Sequence, residues 1–132
     1  MAELPEKFTQ ANVARLATAG EDGQPHLVPI VFATLGNTIV TAVDGKPKST
    51  TRLKRLANIT ANPKVSLLVD HYDDDWTQLW WIRVDGLATI TENDEALHQL
   101  RAKYQQYEQV PLDGPVIIID IEQVVTWGLV QM

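Results

Sequence analysis

The sequence predicts a single domain over residues 1–132, mostly antiparallel β-structure with flanking helices. Three observations carry that reading. Segments rich in Val, Ile, Thr and Phe outnumber segments of helical period. Neighbouring strand-like segments are joined by short turns, which favours an antiparallel sheet or barrel over a doubly wound fold. No internal repeat or low-complexity linker divides the chain.

Taken in order, Pro5 suits the first turn of a short helix over 5–11. Residues 13–19 alternate as a strand, closed by the turn at 20–24. Residues 26–34 read as a second strand with Pro29 inside it. Proline cannot donate a ladder hydrogen bond, so this strand belongs at an edge or is bulged there. Gly36 and Asn37 make a tight hairpin into a third strand over 38–43. The period then changes. Leu53, Leu56, Ala57 and Thr60 recur at i, i+3, i+4 and i+7, a helix with one apolar stripe. Ser49 is its N-cap, and Asn62-Pro63 ends it because the residue before proline avoids the helical region. Residues 65–71 form a fourth strand and 79–91 a long fifth one with a bulge at Gly86. A helix over 93–107 follows, capped by Asn93, with Leu97, Leu100, Tyr104 and Tyr107 as its stripe. Strands at 116–121 and 124–129 complete the sheet.

Composition bounds the chemistry. The chain has no cysteine, which excludes disulfides and thiol nucleophiles, and its histidines at 26, 71 and 98 have no metal-ligand spacing. No apolar run has the length of a membrane span, and the opening residues are too acidic for a signal peptide, so no membrane partner and a cytoplasmic location are expected. The net charge of −6 argues against nucleic-acid binding. Its distribution is more telling. Residues 45–69 contain no carboxylate but hold Lys46, Lys48, Arg52, Lys54, Arg55 and Lys64. The rest of the chain carries 5 basic and 17 acidic residues. One basic window in an acidic protein reads as a local anion site, against the ordinary alternative of a solvated helix face.

Helix phase narrows the window. At about 100° per residue, Thr51, Lys54, Arg55 and Asn58 fall together, opposite the apolar stripe. Two cations, a hydroxyl and an amide on one side can hold a phosphate through charge-assisted hydrogen bonds. Lys48, with Lys46, can close on the same anion from the helix N-terminus. Arg52 and Lys64 are assigned to the surface.

The stretch KSTTRLKRLANITANPKVSLLVD and the later WWIRVDGLATI resemble the pyridoxamine 5′-phosphate oxidase-like family. The leading ARLATAGEDGQPHLVPIVF fits the same pattern, so the resemblance covers about residues 8–127. The segment HYDDDWTQLWWIRVDG is similar to a branch described as coenzyme F420-dependent. The resemblance implies a six-stranded antiparallel split β-barrel, homodimeric, with two cofactor sites at the subunit interface. It implies a phosphate against 46–58 and a ring system along Pro29, Ile30, Val31 and Phe32 and along 41–43. The Arg-x-Val-Leu-Leu-Lys strand and Arg-Gln pair of true pyridoxamine phosphate oxidases are absent, which argues against pyridoxal phosphate synthesis. The expected activity is hydride transfer by F420 to a small electron-poor substrate. FMN chemistry and a non-catalytic flavin or haem-type carrier are the alternatives.

Trp76, Trp80 and Trp81 form the remaining concentration. Adjacent in a strand, Trp80 and Trp81 point to opposite faces. An exposed tryptophan suits a dimer contact or a wall beside the cofactor, the role given to Trp76, against plain core packing. Arg83 is expected to pair structurally with Asp85 or another carboxylate, against a contact with cofactor or substrate. His26 and His71 read as surface residues, and Asp73–Asp75 as solvated carboxylates rather than a cation site. No side chain is assigned as a catalytic acid or base, because hydride chemistry resides in the cofactor.

Overall fold

The structure is a computed structural model and describes residues 3–42, 50–112 and 114–128, the side chains of 50–53 excepted. Among these residues, seven strands form one antiparallel sheet: β1 (Ala14–Ala19), β2 (Pro25–Ile30), β3 (Ala33–Leu35), β4 (Thr38–Ala42), β5 (Lys64–His71), β6 (Trp80–Thr91) and β7 (Val116–Trp127). Their order in the sheet is β2-β1-β5-β6-β7-β4-β3. The resemblance implies six strands and the structure has seven, the number read along the sequence, with two boundaries different. The segment after Pro25 breaks after Ile30 into β2 and β3, and the two C-terminal segments join as one β7. Both changes serve closure, since β2 and β3 are the two edges of the sheet and adjoin in the chain.

Alternation decides what closes inward. Leu16, Ile30, Phe32, Ile39, Leu67 and Ile82 project into one core cluster, which draws on both edges and the centre of the sheet. The sheet thus curls into a split barrel. Phe8, from the short helix α1 (Glu6–Thr9), is fully buried in the same cluster, its ring 5.1 Å from that of Phe32. Pro29 lies on β2, which pairs with β1 alone, so its missing N–H faces an open edge. Gly36, at φ +60°, makes the hairpin between β3 and β4, where a Cβ would be strained. The register shifts between Asp85 and Gly86, the level the sequence predicts, but the extra residue is Glu122 on β7.

A second layer lies outside β3 and β4. Helix α3 (Asp94–Lys103) packs Ala96, Leu97 and Leu100 on Ala33, Val40 and Val116, with Tyr104 joining just past its end. Its N-cap is Asn93, whose side chain accepts from the Ala96 N–H at 2.9 Å. A 3₁₀ turn over Gln105–Glu108 follows, so the helix is shorter than its pattern suggests.

The outer face of β2, β1, β5, β6 and the end of β7 has no covering element among the described residues. The register aligns Pro29, Arg15, Leu68, Arg83 and Val125 across it. A neighbouring row places Asp70, Trp81 and Trp127 side by side. Helix α2 (Thr50–Ala61) instead packs against the inner side of β1 and β6.

Candidate functional site

Helix α2 carries the described part of the basic window, and its phase differs from the sequence expectation. Asn58 and Ile59 are buried and Arg55 and Leu56 half-buried, whereas Lys54, Ala57 and Thr60 are exposed. Asn58 therefore leaves the proposed outward face. Its amide nitrogen donates to the Thr18 hydroxyl at 3.0 Å, and both groups are buried. The close approach depends on Gly20, where a Cβ would stand 2.6 Å from the Asn58 amide oxygen. An amide can turn inward because Thr18 supplies the partner its burial requires. Ala57 and Thr60 turn outward because either is cheap to expose, while Ile59 is not.

Of the predicted anion ligands, Lys54 and Arg55 are described. Lys54 is solvent-exposed, and Arg55 lies half-buried with its Nε out of solvent. Lys46, Lys48 and Ser49 lie outside the described residues, as does the side chain of Thr51. His26 stands opposite Thr18 in the β1–β2 register and is half-buried, not a surface residue as expected. Its Nδ1 is buried without a hydrogen-bond partner among the described residues.

The strand residues separate by face. Pro29 is exposed on the open outer face, Ile30 is sealed in the barrel core, and Val31 is half-buried at the corner before β3. Only backbone atoms of Ile30 can meet a ligand. Val31 lines an open cleft of about 630 Å³ together with Val13, Tyr104, Gln106, Tyr107 and Val110. The Val31 carbonyl accepts from the Thr41 hydroxyl at 2.7 Å, so Thr41, buried, is a brace of this corner.

The wall of that cleft is a polar junction that hydrophobic periodicity does not reveal. The Tyr104 hydroxyl accepts from the Phe32 N–H at 3.1 Å and lies 2.9 Å from the carbonyl oxygens of both Asn12 and Phe32. Lys103 donates to the carbonyls of Ala11 at 2.7 Å and Thr9 at 3.3 Å, with its ammonium 4.0 Å from the Phe32 ring centre. Burial pushes the Lys103 ammonium below its ordinary value and the Tyr104 phenol above its own. The available signal was chemical: a tyrosine on a buried stripe still needs a partner for its hydroxyl.

The tryptophans lie at the other end of the sheet. Trp80 packs on the barrel core beside His71, rings stacked at 5.9 Å, and Trp81 takes the outer face, as alternation predicts. Trp76 opens a 3₁₀ turn (Trp76–Gln78) capped by Asp75, and is 70% exposed. Asp75 accepts from the Thr77 hydroxyl and backbone N–H, which hold its carboxyl below the usual range. Arg83 pairs with Asp85 through two bonds of 3.0 and 3.1 Å, and Ser66 donates to the same carboxylate at 2.7 Å. That pairing makes Arg83 a structural residue of the outer face.

The chain is a split barrel with a cation-bearing helix at one end and a cleft of mixed polar and apolar lining at the β2–β3 corner. The family pattern of pyridoxamine 5′-phosphate oxidase matches residues 1–128, and the chain belongs to that family. Among solved structures, it is similar to a conserved hypothetical protein from Mycobacterium tuberculosis, with 24% identity and a TM-score of 0.69 over 95% of this chain and 85% of that one. It is similar also to HutZ, the haem storage protein from Vibrio cholerae, at 16% identity and TM-score 0.71, covering 92% and 89% of the two chains. General Stress Protein 26 from Bacillus anthracis matches at 19% identity and TM-score 0.66, over 91% and 88%. No curated protein matches the chain. No helix among the described residues is long and apolar enough to cross a membrane.

Proposed function

We propose that this chain is an oxidoreductase using the deazaflavin coenzyme F420 for hydride transfer to a small electron-poor organic substrate, acting as a homodimer. The observation that carries the reading is the carboxylate-free basic stretch 45–69, whose described cations Lys54 and Arg55 stand together on α2. The donor set fits a phosphate: cations with no competing carboxylate, in a chain otherwise strongly acidic. FMN presents a similar phosphate. The longer polyanionic tail of the deazaflavin favours it, because the window holds more cations than one phosphate needs.

Lys54 and Arg55, with Lys48 and Thr51 assigned from the sequence, bind the phosphate. Asn58 acts as a positioning residue that locks α2 on β1. Val31 offers an apolar wall, held in place by Thr41 and Tyr104, and Trp76 a second one. When bound, the deazaflavin supplies the hydride from its ring; the chain binds, orients and excludes water.

Titration with F420, FMN and haemin in turn tests the reading. Arg55→Ala should weaken binding of the preferred flavin at least about tenfold, as expected for a lost charge-assisted hydrogen bond. Unchanged affinity in that variant overturns the site. Tight binding of haemin with neither flavin favours the carrier reading, which the likeness to a haem storage protein keeps in view.

A further inference from the structure

Among the described residues, Lys103 has no counter-charge. Its ammonium is half-buried at the end of α3, donates to the Ala11 and Thr9 carbonyls, and stands 4.0 Å from the Phe32 ring centre. An ammonium has three N–H donors, so two are engaged and one is left. No carboxylate forms an ion pair with it among the described residues. Burial acts on it unopposed and holds it below its ordinary value. Carbonyl dipoles and a ring face soften the cost of burial but leave the charge uncompensated.

The space beside Lys103 suits what it lacks. Lys103 lines the cleft of about 630 Å³ at the β2–β3 corner, within the range of about 300–1,000 Å³ usual for small-molecule sites. Val13, Val31, Val110 and the Tyr107 ring give it apolar walls, and Asn12 and Gln106 bring amides to it. No Asp or Glu stands among the described residues that line it. The Tyr104 hydroxyl is engaged with the backbone of Asn12 and Phe32, so it holds the wall rather than a ligand.

We propose that this cleft binds a small organic acid, its carboxylate on the Lys103 ammonium and its apolar or aromatic body between the valines and Tyr107. The carboxylate supplies the missing counter-charge in a partly desolvated place, where a charge-assisted hydrogen bond is stronger than in water. One N–H of Lys103 and two neutral amides match a single negative charge, not the dense charge of a phosphate. The site is separate from the basic helix. Val13 stands five residues ahead of Thr18, to which Asn58 of α2 is bonded, about 17 Å along the chain at about 3.3 Å per residue. Val31 belongs both to this cleft and to the wall assigned to the flavin ring. The acid is therefore the substrate, and that step alone rests on the function proposed above.

Binding is tested on the whole chain without flavin, by calorimetric titration with benzoate, its neutral counterpart benzamide, and acetate. Benzoate should bind at least about tenfold more tightly than benzamide, as a charge-assisted bond requires. It should exceed acetate by at least about tenfold through the apolar area it buries. Lys103→Met should bring benzoate and benzamide to equal affinity, and Lys103→Arg should keep benzoate ahead. Val13, 40% exposed, tolerates a larger side chain, so Val13→Trp should fill the cleft and abolish binding of both aromatic probes. That variant leaves the Lys103 contacts intact and decides the matter even where Lys103→Met fails to fold. Equal affinity of wild type for benzoate and benzamide, or wild-type benzoate binding in Val13→Trp, overturns the site.

Arg55→Ala separates this site from the one on α2. It should weaken flavin binding and leave benzoate affinity unchanged; loss of benzoate binding there places the carboxylate on α2 and overturns the proposal. A wild type that binds benzoate but neither F420 nor FMN overturns the flavin reading and leaves the acid site standing. With either flavin bound, benzoate should still bind, as a substrate beside a ring must. Mutual exclusion overturns its role as substrate.

Discussion

Asn58 shows how one side chain sets the orientation of a helix. Its amide is buried against Thr18, and Gly20 leaves the room it occupies. Asn58→Ala strips the Thr18 hydroxyl of this partner and opens a small void. The expected cost is about 1–3 kcal/mol, which urea denaturation resolves against an ordinary domain stability of about 5–15 kcal/mol. Because the residue positions α2 rather than touching a phosphate, Asn58→Asp at neutral pH should hurt stability more than it hurts flavin affinity. A variant of wild-type stability that loses flavin binding would return Asn58 to the ligand set. Arg55 makes the opposite prediction. It lies one turn away at the margin of solvent, so Arg55→Ala should act on binding.

At the scale of elements, the irregularity between β6 and β7 lies opposite Gly86, where Glu122 of β7 is the extra residue. The register shifts between Asp85 and Gly86, and a Cβ on Gly86 would run into the Asp120 carbonyl oxygen and stand 2.8 Å from the Ile119 side chain. Backbone cannot move aside as a flexible side-chain tip can. Gly86→Ala is expected to destabilise by about 1–3 kcal/mol through overpacking, read as a lowered midpoint in thermal unfolding. An unchanged midpoint would show that β6 and β7 slide freely at this point. Arg83, Asp85 and Ser66 form their hydrogen-bonded group on the open face just before this point.

For the molecule as a whole, the Lys103–Tyr104 junction ties together the N-terminal segment, the β2–β3 corner and α3. Its response to alkali has a definite sign. The folded Tyr104 pKa is raised above 10.0, mainly by burial, so its contribution is complete below that pH and is lost as pH climbs through the folded value. Lys103 is depressed below 10.5 by burial, so its penalty is present while it is charged and is relieved as pH rises toward 10.5. The two effects oppose each other, and both groups are partly solvated, which keeps the net stability change small. The clearer readout is spectroscopic. Phenolate absorbance from Tyr104 should appear only above pH 10.0, together with loss of the folded near-ultraviolet signal. Tyr104→Phe should remove that late component. If it persists in the variant, another tyrosine carries it.

Much of this protein is legible in its amino-acid sequence. Hydrophobic alternation, Pro29 at an edge, Gly36-Asn37 in a hairpin, Asn93 as a cap and Gly86 at a register shift are local signals, and each stands where the residue chemistry puts it. The charge anomaly at 45–69 is also a property of the sequence alone. The rotation of α2 is different. A pattern of Leu, Ala and Thr cannot outweigh a buried asparagine, because its burial depends on a hydroxyl 40 positions away at Thr18. In sequence, Tyr104 is one more residue of an apolar stripe, and the partners of its hydroxyl, Asn12 and Phe32, come from segments more than 70 residues distant. Sequence therefore determined the strands, the turns and the presence of a helix inside a carboxylate-free basic stretch. Tertiary structure decided which faces meet, because a polar group can be buried only where a distant strand brings it a partner.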